Sequence, residues 1–138
     1  MLIWLELSLG LGFFYLALLI IYAEDWKNLS SFSVEKKPST RISLLIPARN
    51  EAENLPALFK SLIQQTYPTD FFEILLINDH SEDETEAIAQ SFQKEFPNLK
   101  IIALPEGQNG KKAGIRHALT QAKNELIVTT DADCQLPP

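Results

Sequence analysis

Between residues 42 and 130 the chain alternates four short apolar runs with three amphipathic stretches, and this order constrains the fold more than any other feature. The runs at 42–46, 72–77, 99–104 and 125–130 have strand length and are bounded by Pro, Asn, Asp or Gly. After the first run, Leu55, Leu58, Phe59, Leu62 and Ile63 recur at the spacing of a helix lying on a sheet. Ile88, Phe92 and Phe96 mark the buried face of a second helix, and Ile115, Ala118, Leu119 and Ala122 that of a third beginning near Lys111. A β-α-β-α-β-α-β order implies parallel strands joined by right-handed crossovers, hence an open, doubly wound, mostly parallel α/β sheet. Three local expectations follow. Pro47 stops the first strand, the first helix starts either at a capping box of Asn50 with Glu53 or with Pro56 in its first turn while Ser81 with Glu84 has capping-box spacing, and the last strand is buried.

Upstream, residues 7–23 carry no charge, and residues 2–5 extend this apolar run beyond Glu6. A bilayer core needs about 20 apolar residues, so residues 1–26 read as a transmembrane anchor. Trp4, Tyr22 and Trp26 fall near its ends, where interfacial aromatics belong. A cleaved signal peptide fits less well, because no Lys or Arg precedes the run and Ile21-Tyr22-Ala23 is a poor cleavage site. A buried core helix is the remaining alternative. Lys27, Lys36, Lys37 and Arg41 follow the span, which places the rest of the chain on the cytoplasmic side of a cell membrane. The Ser-rich stretch 27–40 reads as a linker, leaving 41–138 as the globular part.

A net charge of −6 without a basic stripe argues against a nucleic-acid partner. The lone Cys134 excludes an intramolecular disulfide and a cysteine-based zinc cluster.

In a parallel sheet the loops leaving the carboxyl ends of the strands share one rim, where such folds bind ligands. Here those loops contain residues 47–51, 78–81, 105–112 and 131–133. Asp131 and Asp133, one residue apart at the end of the fourth strand, suit a hard divalent cation, Mg²⁺ or Mn²⁺, and such a cation suits a diphosphate. Asp79 ends the second strand, where an acid accepts hydrogen bonds from a ribose hydroxyl or a base N–H; the alternative is a helix cap. Gly110-Lys111-Lys112 opens the third helix, so an ammonium there joins backbone N–H groups in holding phosphate. No Gly-x-Gly-x-x-Gly follows the first strand, so a dinucleotide coenzyme is not expected.

Four segments in order, Ile42-Ser-Leu-Leu-Ile-Pro-Ala-Arg-Asn-Glu51, Glu73-Ile-Leu-Leu-Ile-Asn-Asp-His-Ser-Glu-Asp-Glu-Thr85, Gly110-Lys111 and Thr130-Asp-Ala-Asp133, strongly resemble the family 2 glycosyltransferases of GT-A fold. The resemblance covers about residues 42–138. It implies that Pro47 and Glu51 frame a nucleotide site, that Asp79 binds the base or ribose, and that Lys111 lies near the nucleotide. It also implies that Asp133 is the direct metal ligand and that Asp131 is closer to the ribose or sugar. The expected activity is metal-dependent, inverting transfer of a sugar from a nucleoside-diphosphate sugar to a glycan or lipid-linked acceptor by a membrane-bound enzyme. Two positions depart from the pattern, since Asn78 and His80 stand where many members have Asp and Gly. The family's catalytic base and acceptor segment are expected beyond Pro138, so residues 41–138 are expected to be a truncated, nucleotide-sugar-binding part, inactive alone. A non-catalytic nucleotide-binding fragment is one alternative. A nucleotidyltransferase is another, disfavoured by the absence of a Gly-rich loop after the first strand.

Overall fold

The computed structural model describes residues 2–29 and 38–137; most of the expected linker lies outside them. These residues form two compact units, an apolar helix and an α/β unit beginning at Pro38.

Helix α1 (Leu2–Lys27) has 26 residues, a mean hydropathy of 2.0 over its most apolar stretch, and no buried residue. At about 1.5 Å per residue it is longer than the ~30 Å hydrocarbon core of a bilayer.

The second unit is a four-stranded sheet of β1 (Ile42–Ala48), β2 (Phe72–Asn78), β3 (Leu99–Ala103) and β4 (Leu126–Thr129) in the order β3-β2-β1-β4, with every pair parallel. Helices α2 (Leu55–Ile63), α3 (Thr85–Ser91) and α4 (Lys111–Leu119) make the crossovers. Alternation along the strands splits the core into two layers. Leu44, Ile46, Ile74 and Leu76 project toward α2 and α3, whereas Leu45, Leu75 and Ile77 project toward α4. Phe59 of α2 is fully buried and stacks on Phe92 with ring centroids 4.6 Å apart. Burial of each such side chain contributes about 1.5–3 kcal/mol.

Pro47 does not stop β1; the strand continues to Ala48. Leu45 O accepts from Thr130 N on the β4 side, and Ala48 O accepts from Asp79 N on the β2 side. Pro47 therefore turns its missing donor toward the β4 side, just beyond the last β1–β4 pair, Leu45↔Thr129, where no ladder bond is due.

The fourth strand is shorter than expected and is not buried, with Leu126 at 44% and Val128 at 38% exposure. As the outer strand it has one partner, so its residues on the face of Ile42 and Leu44 are only half covered. Leu119, expected inward, is exposed. Helix α4 approaches so closely that a Cβ on Gly114 would stand 3.1 Å from Ile77 Cγ2, so the contact line runs through Gly114 and Ala118 and turns Leu119 aside. Ile63, the last residue of α2, is likewise exposed.

Neither capping box forms. Asn54 precedes α2 and Glu84 precedes α3, and neither makes a side-chain cap bond. Asn50 and Ser81 serve the neighbouring loops instead, as described below.

Candidate active site

After β3 the chain crosses back over the sheet to lay β4 beside β1, so the strand order reverses between β1 and β4. Ligands of open α/β sheets bind outside the carboxyl ends of the strands at such a reversal. A cleft of about 240 Å³ opens there. It is lined by all six residues singled out in the sequence, Pro47, Glu51, Asp79, Lys111, Asp131 and Asp133, with Arg49, Gly110 and Ala132 among the others.

Asp79 follows β2 directly and is 7% exposed. It does not cap α3. Its Oδ2 accepts the Gly110 N–H at 2.7 Å, and its Oδ1 is buried with no hydrogen-bond partner. An unpaired buried carboxylate oxygen costs free energy unless a donor arrives, so in a residue that lines the cleft this atom is a ready acceptor for a bound donor group. Gly110 can present its N–H this way because it adopts φ 84°, ψ 158°, a conformation open essentially to glycine alone.

Asp131 and Asp133 flank Ala132, which is 2% exposed and packs into the α2 side of the core. The buried methyl anchors the loop while both carboxylates stay exposed. Lys111 Nζ reaches Asp131 Oδ1 at 2.5 Å, with both side chains about half exposed. Among the described residues no group of three or more His, Cys, Asp or Glu is placed to hold a metal. Two hard carboxylates on one loop nonetheless fit the way Mg²⁺ is usually held, by one or two carboxylates with substrate phosphates and water.

The two departures from the family pattern have local explanations. His80 has φ 55°, a left-handed conformation in which glycine is easiest and histidine is tolerated. Asn78 turns away from the cleft, its Oδ1 accepting from Ser81 N at 3.0 Å and its Nδ2 donating to Glu86 at 3.0 Å. Cys134 is exposed and free.

A comparable cleft of about 270 Å³ lies at the opposite rim, near Arg41, Lys100 and Lys123. Its buried carboxylate, Glu73, already accepts from Ser43 Oγ and Lys123 N, each at 2.6 Å, and closes the amino-terminal edge of the sheet.

Asp83 and Thr85 escaped the sequence reading. Thr85 is fully buried, and Asp83 is held below its ordinary carboxylate pKa of 3.8, chiefly by the Thr85 hydroxyl, with Thr85 and Ala52 backbone N–H groups adding to the effect. The available signal was the Asp-x-Thr pair at the start of α3, where Asp83 Oδ1 accepts Thr85 N at 3.0 Å.

Residues 43–138, well over half of the chain, match the profile of glycosyl transferase family 2. The chain belongs to this family. Its glycosyltransferase relatives include glycosyltransferase AglE of Haloferax volcanii, 32% identical over 93 residues, which are 67% of this chain and 30% of that protein. A second is the beta-monoglucosyldiacylglycerol synthase of a Synechocystis species, 29% identical over 101 residues, 72% of this chain and 21% of the relative. The chain thus spans about a fifth to a third of the length of these relatives. Among solved structures, the mannosyltransferase PcManGT from Pyrobaculum calidifontis, in complex with GDP-Man and Mn²⁺, superposes with a TM-score of 0.70 at 24% identity, covering 96% of this chain and 39% of that one. This family 2 glycosyltransferase chain therefore has the GT-A type of parallel sheet, preceded by one long apolar helix.

Proposed function

We propose that this chain is the membrane-anchored, donor-binding part of an inverting glycosyltransferase that takes its sugar from a nucleoside diphosphate. The observation that carries the proposal is the convergence, in one cleft, of the unpartnered Asp79 Oδ1 with the Asp131 and Asp133 carboxylates. Asp79 Oδ1 accepts a base N–H or ribose hydroxyl, and Pro47 and Glu51 frame that end. Lys111 and the start of α4 lie beside the diphosphate. Asp133 is the direct ligand of Mg²⁺ or Mn²⁺, with Asp131 nearer the ribose or sugar. The bound cation supplies charge neutralisation for the diphosphate as leaving group.

An acceptor hydroxyl attacks the anomeric carbon from the face opposite the departing diphosphate, which inverts that centre. The carboxylates lining the cleft are all assigned to the donor, so we place the base that deprotonates the acceptor outside residues 38–137. Residues 1–138 alone then bind the donor without transferring its sugar. The acceptor class stays open between glycan and lipid; the name of the Synechocystis relative specifies a diacylglycerol product for that protein. Helix α1 spans the membrane, and the cations after it hold the α/β unit in the cytoplasm.

Calorimetry of the full chain in detergent, titrated with UDP and with GDP in the presence and absence of Mn²⁺, tests the reading. Binding of at least one of them that strengthens with Mn²⁺ is expected; no binding of either overturns the proposal.

A further inference from the structure

The two loops that carry Glu51 and Asp79 are tied together by hydrogen bonds spanning 31 to 34 residues of sequence. Asn50 N donates to Ser81 Oγ at 3.0 Å, and Glu82 N donates back to Asn50 Oδ1 at 2.8 Å. Deeper in, Glu51 N donates to Thr85 Oγ1 at 2.8 Å, Thr85 Oγ1 donates to Asp83 Oδ1, and Asp83 Oδ2 accepts Ala52 N at 3.1 Å. The Glu51 carboxylate is oriented in turn by Asn54 Nδ2 at 2.8 Å. Asp83 and Thr85 do not line the cleft themselves. They hold the backbone of a residue that does.

We infer that Thr85 and Asp83 are positioning residues for the nucleoside end of the donor site, acting through the Glu51 and Ala52 amides. The inference rests on the nucleotide-site reading above. A brace of this kind is preorganisation, which lets binding proceed without ordering a loop at that moment. Thr85 is the informative position, because Thr85→Val nearly preserves its buried volume while removing both hydroxyl bonds.

The test compares the full chain in detergent with its Thr85→Val, Thr85→Ser and Asp83→Asn forms. Hydrogen exchange reads the Asn50, Glu51 and Ala52 amides; calorimetry reads binding of UDP or GDP, and separately of inorganic pyrophosphate, each with Mn²⁺. In Thr85→Val and Asp83→Asn, exchange at residues 50–52 accelerates and the nucleotide binds about tenfold more weakly, the order expected when binding must itself fix the backbone of about one loop residue. Pyrophosphate affinity stays unchanged, and Thr85→Ser restores the nucleotide affinity. Equal loss for pyrophosphate and nucleotide, unaltered exchange, or unaltered nucleotide affinity in both variants would each overturn the positioning role. Failure of the unsubstituted chain to bind either nucleotide would overturn the underlying site reading as well, and is told apart because it appears before any substitution.

Discussion

Asp79 accepts the Gly110 N–H at 2.7 Å, which joins the end of β2 to the start of α4 and leaves the other Asp79 oxygen buried and unpaired. One carboxylate thus ties the scaffold together and keeps an unpaired acceptor in a residue that lines the cleft.

Gly110 carries the first consequence. Its φ of 84° and ψ of 158° are hostile to any residue with a Cβ, although open space surrounds the position. Gly110→Ala should cost about 1–3 kcal/mol through backbone strain alone. Thermal unfolding should show a Tm lowered by about 4–8 °C per kcal/mol for a unit of this size.

Asp79 and Asp133 should separate by ligand. Asp79→Ala removes an acceptor worth about 1.5–3 kcal/mol to a bound N–H or O–H, so affinity for the matching nucleoside diphosphate should fall about 10- to 150-fold. Mn²⁺ binding, followed by electron paramagnetic resonance, should change little. Asp133→Ala should do the reverse, abolishing the Mn²⁺ dependence of nucleotide binding in calorimetry.

Lys111 predicts two changes of opposite sign. Its ammonium pairs with Asp131 in the free protein, and if that carboxylate helps Asp133 to hold the cation, the ammonium would compete with it. Lys111→Met should tighten binding of Mn²⁺ alone, by at most about fivefold because an exposed pair is worth 0–1 kcal/mol. The same substitution should weaken nucleoside diphosphate binding. A parallel loss of both affinities would argue against competition.

Asp83 sets a pH dependence. Its folded pKa is depressed below the ordinary 3.8, so the stabilisation it provides is present above about pH 4 and is lost as the pH falls through the folded value. The difference in Tm between the unsubstituted chain and Asp83→Asn should be flat from pH 5 to 8 and shrink below about pH 4.

The parallel sheet and its three crossover helices were legible because each depends on the period of apolar residues within a dozen positions, and the apolar helix because its uncharged run is long enough to cross a bilayer. Asp79, Lys111, Asp131 and Asp133 were legible for a related reason, since polar residues just past an apolar strand must emerge on the carboxyl rim. Pro56 does sit in the first turn of α2, the start left open beside an Asn50 cap, whereas Ser81 was misread as a cap. The spacing of Asn50 and of Ser81 matches a cap, yet a short polar side chain bonds whichever donor or acceptor comes within about 3 Å. At Asn50 and Ser81 the partners are Glu82 N and Asn50 N, brought in from the other loop.

By itself, the sequence determined which segments become strands and helices and on which rim the acids emerge, because burying apolar surface with satisfied backbone groups is largely a local periodic problem. Only the tertiary structure decided that β4 lies beside β1, that Leu119 and Val128 are exposed, and that Asp79 divides its oxygens between Gly110 and the cleft. Those outcomes depend on distances between segments 30 or more residues apart, and packing alone sets such distances.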